Sequence, residues 1–308
     1  PCVLGPEGAG VIEAVGSEVH HLTPGTHVVI AWVAACGQCW FCARGELHLC
    51  RNAIRDTYSM PYATDSEGAA LFTSMGVSSF STATNCLARA VVPIAEDIPL
   101  EIASLIGCGV ATGAGAALNT APVEHGSAVA VIGLGGVGLA SLRASRVRGA
   151  AELLAVDAVA SRREAALALG ATHAVDPADG DVARQIRAVT GRRGADFVFE
   201  AVGRQGTIET AIAATRRGGT TCIVGAAPPD ERVSLSAYDL YMHGKTLVGC
   251  QYGSVVPARD FPLLLNLWRT GRLPLERLIT GRIGLDDVNG AFDELRRGSG
   301  IRSVIVNE

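Results

Sequence analysis

A glycine-rich turn near the middle of the chain constrains the fold more than any other feature. The apolar run Ala128–Ile132 is typical of a buried strand, and it leads directly into Gly133–Gly138, which reads G-L-G-G-V-G. This matches the pattern G-x-G-x-x-G, and the following residues, Val137–Arg148, are rich in Ala, Leu and Arg and predict a helix. A strand, a glycine turn and a helix in this order predict a dinucleotide-binding unit, whereas a glycine turn without a ligand is the alternative.

The three spaced glycines of this turn have separate roles in a dinucleotide site. Gly133 permits the tight turn, Gly135 lets the backbone approach a pyrophosphate, and Gly138 lets the helix pack closely against the strand. The N-terminus of the helix adds free N–H groups and the positive end of a dipole. The residues that we expect at the pyrophosphate are Gly133, Leu134, Gly135, Gly136, Val137 and Gly138.

An acidic residue ends the next predicted strand. Asp157 closes Glu152–Asp157, at a place where a carboxylate accepts hydrogen bonds from the adenosine ribose. Because a carboxylate there disfavours the additional phosphate of NADP, the sequence favours NAD as the cofactor. Arg162 lies one turn into the following helix and could flank the same ribose. Val202 and Val224, at the ends of two later strands, are further candidates for contact with the coenzyme.

Strands and helices alternate through the middle of the chain. Such alternation predicts βαβ units and a doubly wound parallel sheet with both faces covered, which is a Rossmann-type α/β fold. The further predicted strands are Thr172–Val175, Asp196–Glu200, Thr220–Val224 and Thr246–Cys250, and the predicted helices between them are Ser161–Leu169, Val182–Thr190 and Ile208–Arg217.

The regions on either side have a different texture. Residues 1–106 contain short apolar runs such as Gly10–Val15 and His27–Val33, separated by turn residues, and they predict a β-rich domain. Residues 107–252 form the predicted dinucleotide-binding domain. Residues 253–308 add helices at Asp260–Thr270 and Asp287–Gly298 and a strand at Arg302–Val306, and we expect this segment to finish the second domain and return to the first.

Four closely spaced cysteines indicate a metal site. They read C-x2-C-x2-C-x7-C, and four thiolates can close a tetrahedral shell around a structural zinc. The peptide between them is too short and polar to hold its shape by burial, so metal binding would supply the folding energy, on the order of 10–16 kcal/mol. Disulfide pairing is the weaker alternative, because nothing else in the sequence indicates an oxidising compartment. The four residues are Cys36, Cys39, Cys42 and Cys50.

Composition places limits on the function. The 308 residues are 48% hydrophobic with a formal charge of −4, which suits two domains with separate cores and argues against a nucleic-acid surface. We find no apolar run of about 18 residues and no signal peptide, and the scattered remaining cysteines fit a reducing cytoplasm. The chain begins at Pro1 in a strand-like run, so we expect it to lack its true N-terminus.

Several motifs resemble the zinc-dependent medium-chain alcohol dehydrogenases, and the resemblance extends over essentially the whole chain. Gly5–Val11, together with Gly16, is similar to the G-H-E-x-x-G signature of that family. Leu105–Gly113 and Gly300–Val304 look most like its class III branch. The resemblance implies a GroES-like β-rich catalytic domain beside the Rossmann domain. It also implies hydride transfer between an alcohol, or an aldehyde adduct, and NAD, in a homodimer or homotetramer.

The resemblance also implies roles for individual residues. In this family a cysteine, the histidine of G-H-E and a second cysteine hold a catalytic zinc whose open position binds the alcohol oxygen. Cys108 matches the second cysteine, and Glu7 matches the acid beside the zinc. Thr112 is implied to contact the nicotinamide, Arg302 to reach the pyrophosphate, and Trp32 to form a wall of the substrate pocket. The plainer alternatives are a small buried thiol for Cys108, a surface ion pair for Arg302 and a core residue for Trp32.

One position departs from the family pattern. Residue 6 is proline, which has no side-chain donor, and the first zinc-ligating cysteine of the family belongs upstream of residue 1. Three interpretations therefore stay open: an alcohol dehydrogenase; an NAD-binding, structural-zinc protein with impaired or no zinc catalysis; and a zinc-independent reductase of the quinone oxidoreductase type. The four clustered cysteines argue against the third. The sequence does not identify the alcohol, and the edge strand near Thr246–Gln251 is our candidate for subunit contact.

Overall fold

The structure, a computed structural model, describes residues 1–58 and 61–307. The chain divides into two units. The first comprises Pro1–Ala111 together with Val255–Glu308, and the second comprises Thr112–Ser254. The domain limits inferred from the sequence stay a prediction.

Strands and α-helices follow one another along the whole described chain. The strands are β1 (Cys2–Val3), β2 (Gly8–Val11), β3 (His27–Ile30), β4 (Pro61–Thr64), β5 (Ala70–Thr73), β6 (Val91–Pro93), β7 (Ala128–Ile132), β8 (Glu152–Val156), β9 (His173–Val175), β10 (Ala195–Glu200), β11 (Thr215–Ile223), β12 (Thr246–Gly249), β13 (Ile279–Ile283) and β14 (Arg302–Ile305). The α-helices are α1 (Trp40–Ala43), α2 (Arg51–Tyr58), α3 (Leu100–Ser104), α4 (Gly109–Gly115), α5 (Gly136–Val147), α6 (Ala160–Ala168), α7 (Val182–Val189), α8 (Gln205–Ala214), α9 (Ala237–His243), α10 (Pro257–Arg269) and α11 (Val288–Arg296).

The second unit is built on one parallel sheet. Its strand order is β12-β11-β10-β7-β8-β9, and every neighbouring pair runs parallel. All five residues of β7 are buried, as expected for a central strand covered on both faces. The chain continues from β7 to β8 on one side and later returns to β10 on the other. The order therefore reverses beside β7, and the α/β fold predicted from the sequence is confirmed.

Apolar side chains hold the helices of the second unit against this sheet. One buried cluster joins Ile132 of β7, Val156 of β8 and Val198 of β10 to Ile186 of α7 and Ala211 of α8. Burial of a branched apolar side chain of this kind contributes about 1.5–3 kcal/mol to folding. The apolar residues of the strands and helices therefore stabilise the packing of the helices on the sheet. The carboxyl ends of β7, β8, β10 and β11 meet along one edge.

One predicted helix boundary in the second unit is wrong. We predicted a helix over Ile208–Arg217, but α8 ends at Ala214 and β11 begins at Thr215. Thr215 is buried and β-branched, and its hydroxyl lies 2.7 Å from the hydroxyl of Thr221 on the same strand. It pairs with Ala195 of β10, so sheet pairing overrides the helical pattern.

The first unit contains small sheets. In its described residues the orders are β1-β5-β4, β2-β3-β6 and β13-β14. The pairs β2–β3 and β3–β6 are antiparallel, although β6 follows β3 only after a long stretch of chain. Val29 and Ile30 of β3 are buried, and Val77 and Ala90 pack with Ile30. The predicted β-rich character of the first region is confirmed, whereas β2 begins and ends earlier than the predicted Gly10–Val15.

No individual helix among the described residues combines the length and the hydrophobicity needed to cross a bilayer. One bent pair, Leu100–Gly107 with Gly109–Thr120, meets those criteria only when its two parts are taken together.

Candidate functional site

The four clustered cysteines come together in the first unit. Their ligand atoms all lie within 4.8 Å of one another, and the Sγ atom of Cys39 is 3.6 Å from that of Cys42 and 3.9 Å from that of Cys50. Four sulfurs around one zinc at about 2.3 Å would be separated by about 3.8 Å. All four are free thiols, so the alternative of disulfide pairing is not supported. The donor set therefore fits a closed structural zinc site.

The surrounding backbone favours thiolates at part of this cluster. The N–H of Cys36 donates to the sulfur of Cys50, and the side-chain amide of Asn52 donates to the sulfur of Cys36, both at 3.3 Å. Hydrogen bonds from the backbone of Gln38 and Cys39 lower the pKa of Cys36 to about 6, whereas burial raises the pKa of Cys42 to about 12. A metal ion with its own charge would stabilise all four thiolates.

The glycine turn of the second unit has the geometry of a phosphate cradle. Gly133 has φ +91°, which favours glycine, and a side-chain carbon there would lie 2.6 Å from Val202. A side-chain carbon at Gly138 would lie 1.8 Å from the carbonyl oxygen of Gly133. Gly135, the N-cap of α5, has open space where its side chain would be. The turn is therefore closely packed at Gly133 and Gly138, whereas the space beside Gly135 at the N-terminus of α5 is open to a phosphate group.

Asp157 is fixed directly beside this turn. Its Oδ2 accepts a hydrogen bond from the N–H of Leu134 at 2.8 Å, and its Oδ1 accepts one from the N–H of Val159 at 2.8 Å. The Nη1 atom of Arg162 is 3.9 Å from Asp157 Oδ2. Arg163, which the sequence reasoning missed, donates to the carbonyl oxygen of Asp157 at 2.6 Å. The carboxylate is held within its loop by the backbone, as a ribose-binding residue requires.

Val202 and Val224 lie at the same sheet edge as the glycine turn. Val202 follows β10 and is 44% exposed, and Val224 follows β11 and is buried. The structure therefore brings Gly133–Gly138, Asp157, Val202 and Val224 to the carboxyl ends of neighbouring parallel strands. Dinucleotides bind at this edge of such sheets, beside the strand where the order reverses. These residues fit a nicotinamide dinucleotide, although their individual roles stay predictions.

Cys108, Glu7 and Arg302 form a second cluster in the first unit. Glu7 Oε1 accepts a hydrogen bond from the N–H of Gly109 at 2.5 Å, and Glu7 Oε2 accepts one from Arg302 Nη1 at 3.1 Å. Burial, and next the negative charge of Glu7, raise the pKa of the Cys108 thiol to about 12, while Arg302 opposes the shift. The guanidinium of Arg302 forms an ion pair with the carboxylate of Glu7 within this unit.

This second cluster does not fit a catalytic zinc. Such a site needs about three protein ligands and one open position. Pro6 offers no donor and the carboxylate of Glu7 is already paired with Arg302, which leaves Cys108 as the remaining donor of this cluster. In the described part of the chain, the four-cysteine cluster is the group of three or more metal-donor residues that the structure brings together.

The remaining predicted residues, Trp32 and Thr112, are partly buried in their own units. Trp32 is partly buried and packs against the cluster that contains Ile30, Ala34 and Val77. Thr112 is half-buried within α4. Trp32 therefore satisfies the core alternative raised above, and a role in a substrate pocket stays a prediction, as does the contact of Thr112 with a nicotinamide.

Comparison with known families matches both parts of the chain. Residues 1–96 match the alcohol dehydrogenase GroES-like domain, and residues 136–269 match the zinc-binding dehydrogenase family. The chain is 35% identical to the class-3 alcohol dehydrogenase of Caenorhabditis elegans, with all of this chain and 83% of the relative aligned. It is 38% identical to the geraniol dehydrogenase of Castellaniella defragrans, with 99% of this chain and 83% of the relative aligned.

The fold is also similar to solved structures. An alcohol dehydrogenase zinc-binding domain protein from Burkholderia ambifaria superimposes with a TM-score of 0.94 at 35% identity, covering 100% of this chain and 84% of that chain.

Proposed function

Because the chain belongs to the zinc-dependent medium-chain alcohol dehydrogenase family, we propose that it transfers hydride between an alcohol and NAD. The observation that carries the choice of coenzyme is the carboxylate of Asp157, held beside an open glycine turn at the N-terminus of α5. When it is bound, the nicotinamide coenzyme supplies the hydride acceptor, and the chain supplies binding and orientation.

Each part of the coenzyme has a partner in this proposal. The N–H groups at the start of α5 receive the pyrophosphate, because the helix N-terminus carries unpaired donors and a positive dipole end. Asp157 accepts hydrogen bonds from the ribose hydroxyls and repels a phosphate at the same position. Val202 and Val224 provide apolar contact at the neighbouring strand ends.

For the substrate we propose an alcohol or an aldehyde adduct. The named relatives include a class-3 alcohol dehydrogenase and a geraniol dehydrogenase, so both small adducts and larger apolar alcohols belong in a first test. We assign no catalytic step to a zinc at Cys108, because the residues there do not fit one. The misfit at Pro6 also keeps coenzyme binding without turnover as the second candidate function.

We further propose that Cys36, Cys39, Cys42 and Cys50 bind one structural zinc, since their sulfur spacing fits a tetrahedral ion. The free state of the described cysteines supports a reducing compartment such as the cytoplasm.

A second copy of the chain is the proposed protein partner. β12 is an edge strand of the parallel sheet, and an unpaired edge is a template for pairing with another chain. Leu247 of β12 is 36% exposed, and Tyr238 and Tyr241 of the adjacent α9 are 71% and 81% exposed. This apolar edge supports a homodimer.

Titration and turnover of the full chain test the proposed function. We expect NADH to bind with micromolar affinity by fluorescence, NADPH to bind at least about tenfold more weakly, and alcohols to reduce NAD. Ethanol, geraniol and a thiol adduct of formaldehyde are the substrates to compare. NADH binding without any turnover would favour the second candidate function, and absence of NADH binding at millimolar concentration would refute both.

A further inference from the structure

A buried carboxylate lies at the coenzyme edge of the sheet and was not among the predicted site residues. Glu200 is the last residue of β10, and its exposed fraction is 0%. In the sheet its neighbours are Ile132 of β7 and Ile223 of β11, so apolar strands flank it on both sides. Glutamate is rarely buried to this degree unless its oxygens are paired.

The two oxygens of this carboxylate differ sharply. Oε1 accepts hydrogen bonds from the N–H of Val202 at 2.9 Å, from the N–H of Gly203 at 2.9 Å and from the hydroxyl of Thr207 at 2.8 Å. Oε2 is also buried, and it has no hydrogen-bond partner among the described residues. Within the described structure, the hydrogen bonds of this carboxylate are therefore made by one of its two oxygens.

The backbone of Glu200 holds a second turn. Its carbonyl oxygen accepts hydrogen bonds from the N–H of Val224 at 2.8 Å and from the N–H of Gly225 at 2.9 Å. The two turns that follow β10 and β11 are therefore tied to one residue. They also touch directly, because a side-chain carbon at Gly225 would lie 2.2 Å from the backbone nitrogen of Gly203.

The turn held by Oε1 packs on the phosphate cradle. A side-chain carbon at Gly133 would meet the Cγ2 atom of Val202 at 2.6 Å, so Val202 sets the space on one side of the glycine turn. A displacement of the Val202–Gly203 turn would therefore be felt at Gly133. A displaced glycine turn would bind the coenzyme more weakly, even though the residues that contact the coenzyme are unchanged.

We propose that Glu200 is a positioning residue for the coenzyme, which it affects by fixing the Val202–Gly203 turn against Gly133. This inference rests on the proposed function. Three donors converge on Oε1, which holds the turn after β10 in place. Oε2 takes no part, so one acceptor oxygen is sufficient for the role. A glutamine at this position keeps that oxygen, whereas a leucine leaves the donors of Val202 and Gly203 without a partner.

The test compares two substitutions of Glu200 with a matched control. Glu152 is the first residue of β8, at the amino-terminal ends of the strands and so away from the glycine turn. Its Oε2 is also buried without a partner in the described structure. We measure the Kd of NADH by fluorescence and the Tm of each variant. We expect Glu200→Leu to raise the Kd about tenfold, equivalent to about 1.4 kcal/mol, while Glu200→Gln and Glu152→Leu stay within about twofold of the wild type.

Each other outcome overturns the inference. An unchanged Kd for Glu200→Leu, whatever its Tm, would mean that the residue only stabilises the fold. An equal loss in Glu200→Gln and Glu200→Leu would mean that Oε2 binds the coenzyme directly. If Glu200→Leu does not fold, Thr207→Val removes one donor from Oε1 and should raise the Kd about two- to threefold; no rise would refute the proposal. If the wild-type protein itself does not bind NADH, the proposed function is refuted as well. The two failures are distinguishable, because in the other outcomes the wild-type protein binds NADH and only the variants differ.

Discussion

At the scale of single residues, the coenzyme site depends on side chains whose partners are backbone atoms. Both oxygens of Asp157 accept hydrogen bonds from the N–H groups of Leu134 and Val159, so the carboxylate keeps its place without help from another side chain. Arg162 lies beside it at 3.9 Å, at a distance where its charge attracts without a direct hydrogen bond. Removal of the carboxylate therefore leaves a positive group beside the expected ribose position.

Substitution of Asp157 tests this arrangement. We expect Asp157→Gly to reduce the preference for NAD over NADP about tenfold or more, because repulsion of the additional phosphate is lost and Arg162 remains. The ratio of Kd values for NADH and NADPH measures the effect. Asp181→Gly is the control, since that carboxylate accepts a hydrogen bond from the N–H of Arg184 at the start of α7, outside the glycine turn. An unchanged coenzyme ratio in Asp157→Gly would show that this residue does not face the ribose.

At the scale of elements, the four-cysteine lobe contains only short helical segments among its described residues. α1 spans only Trp40–Ala43, and Trp40 is 65% exposed on the lobe surface. Arg44 stacks over the ring of Trp40 at 4.7 Å, which is a weak surface interaction. A helix of one turn is unstable without tertiary support, so the metal is the natural source of stability for this lobe.

Metal analysis tests both the lobe and the misfit at Pro6. We expect one zinc per chain in the wild type and loss of that zinc in Cys42→Ser, with a Tm several degrees lower because binding energy of the order of 10 kcal/mol is linked to folding. Cys2→Ser is the control, since Cys2 is an exposed free thiol outside the lobe. Two zinc ions per wild-type chain would contradict our conclusion that the Cys108 cluster does not fit a metal.

Much of the parallel sheet was predictable because its strands are buried apolar runs bounded by glycine turns and helices. The boundary between α8 and β11 at Thr215 was not predictable, because it depends on the contact of Thr215 with Thr221 and not on the local sequence pattern. Strand β13 was missed, since its residues Ile279–Ile283 alternate between partly buried and exposed positions and pair only with the distant β14. Element type followed from local periodicity, and exact boundaries depended on partners that the local sequence does not specify.

The candidate site divides in the same way. The cysteines and the glycine turn were found because their spacing is local. Glu200 was missed because it reads as the ordinary end of a strand, and its role depends on the turns after two strands. The pairing of Glu7 with Arg302 joins residues 295 positions apart, so the sequence gives no local signal for it.

At the scale of the whole molecule, β12 is an edge strand of the parallel sheet within the described residues, where no other strand pairs with its outer side. The opposite edge strand, β9, is only three residues long, which limits pairing there. Lys245 is almost buried beside β12, where it donates to the carbonyl oxygen of Ile212 and lies 3.4 Å from Asp239. Its charge is therefore paired within the protein, and the large exposed apolar side chains of α9 and β12 include Tyr238, Tyr241 and Leu247.

A charge placed on this edge tests the proposed dimer. We expect Leu247→Lys to shift the protein from dimer toward monomer, because an unpaired lysine cannot be buried in an apolar interface without a large loss of affinity. Analytical ultracentrifugation measures the change. Leu167→Lys is the matched control, since Leu167 is 45% exposed on α6, away from β12. A wild-type protein that sediments as a monomer would refute the assembly, and so would a dimer unaffected by Leu247→Lys.

The contact between Gly138 and the carbonyl oxygen of Gly133 has a consequence for protein engineering. Even the smallest added side chain at position 138 would collide with that oxygen at 1.8 Å, so saturation libraries at this position should return only the parent residue among folded variants. Gly135 faces open space, and its replacement should be judged by ligand affinity alone. A redesign of coenzyme choice should therefore leave the turn untouched and vary the loop after β8.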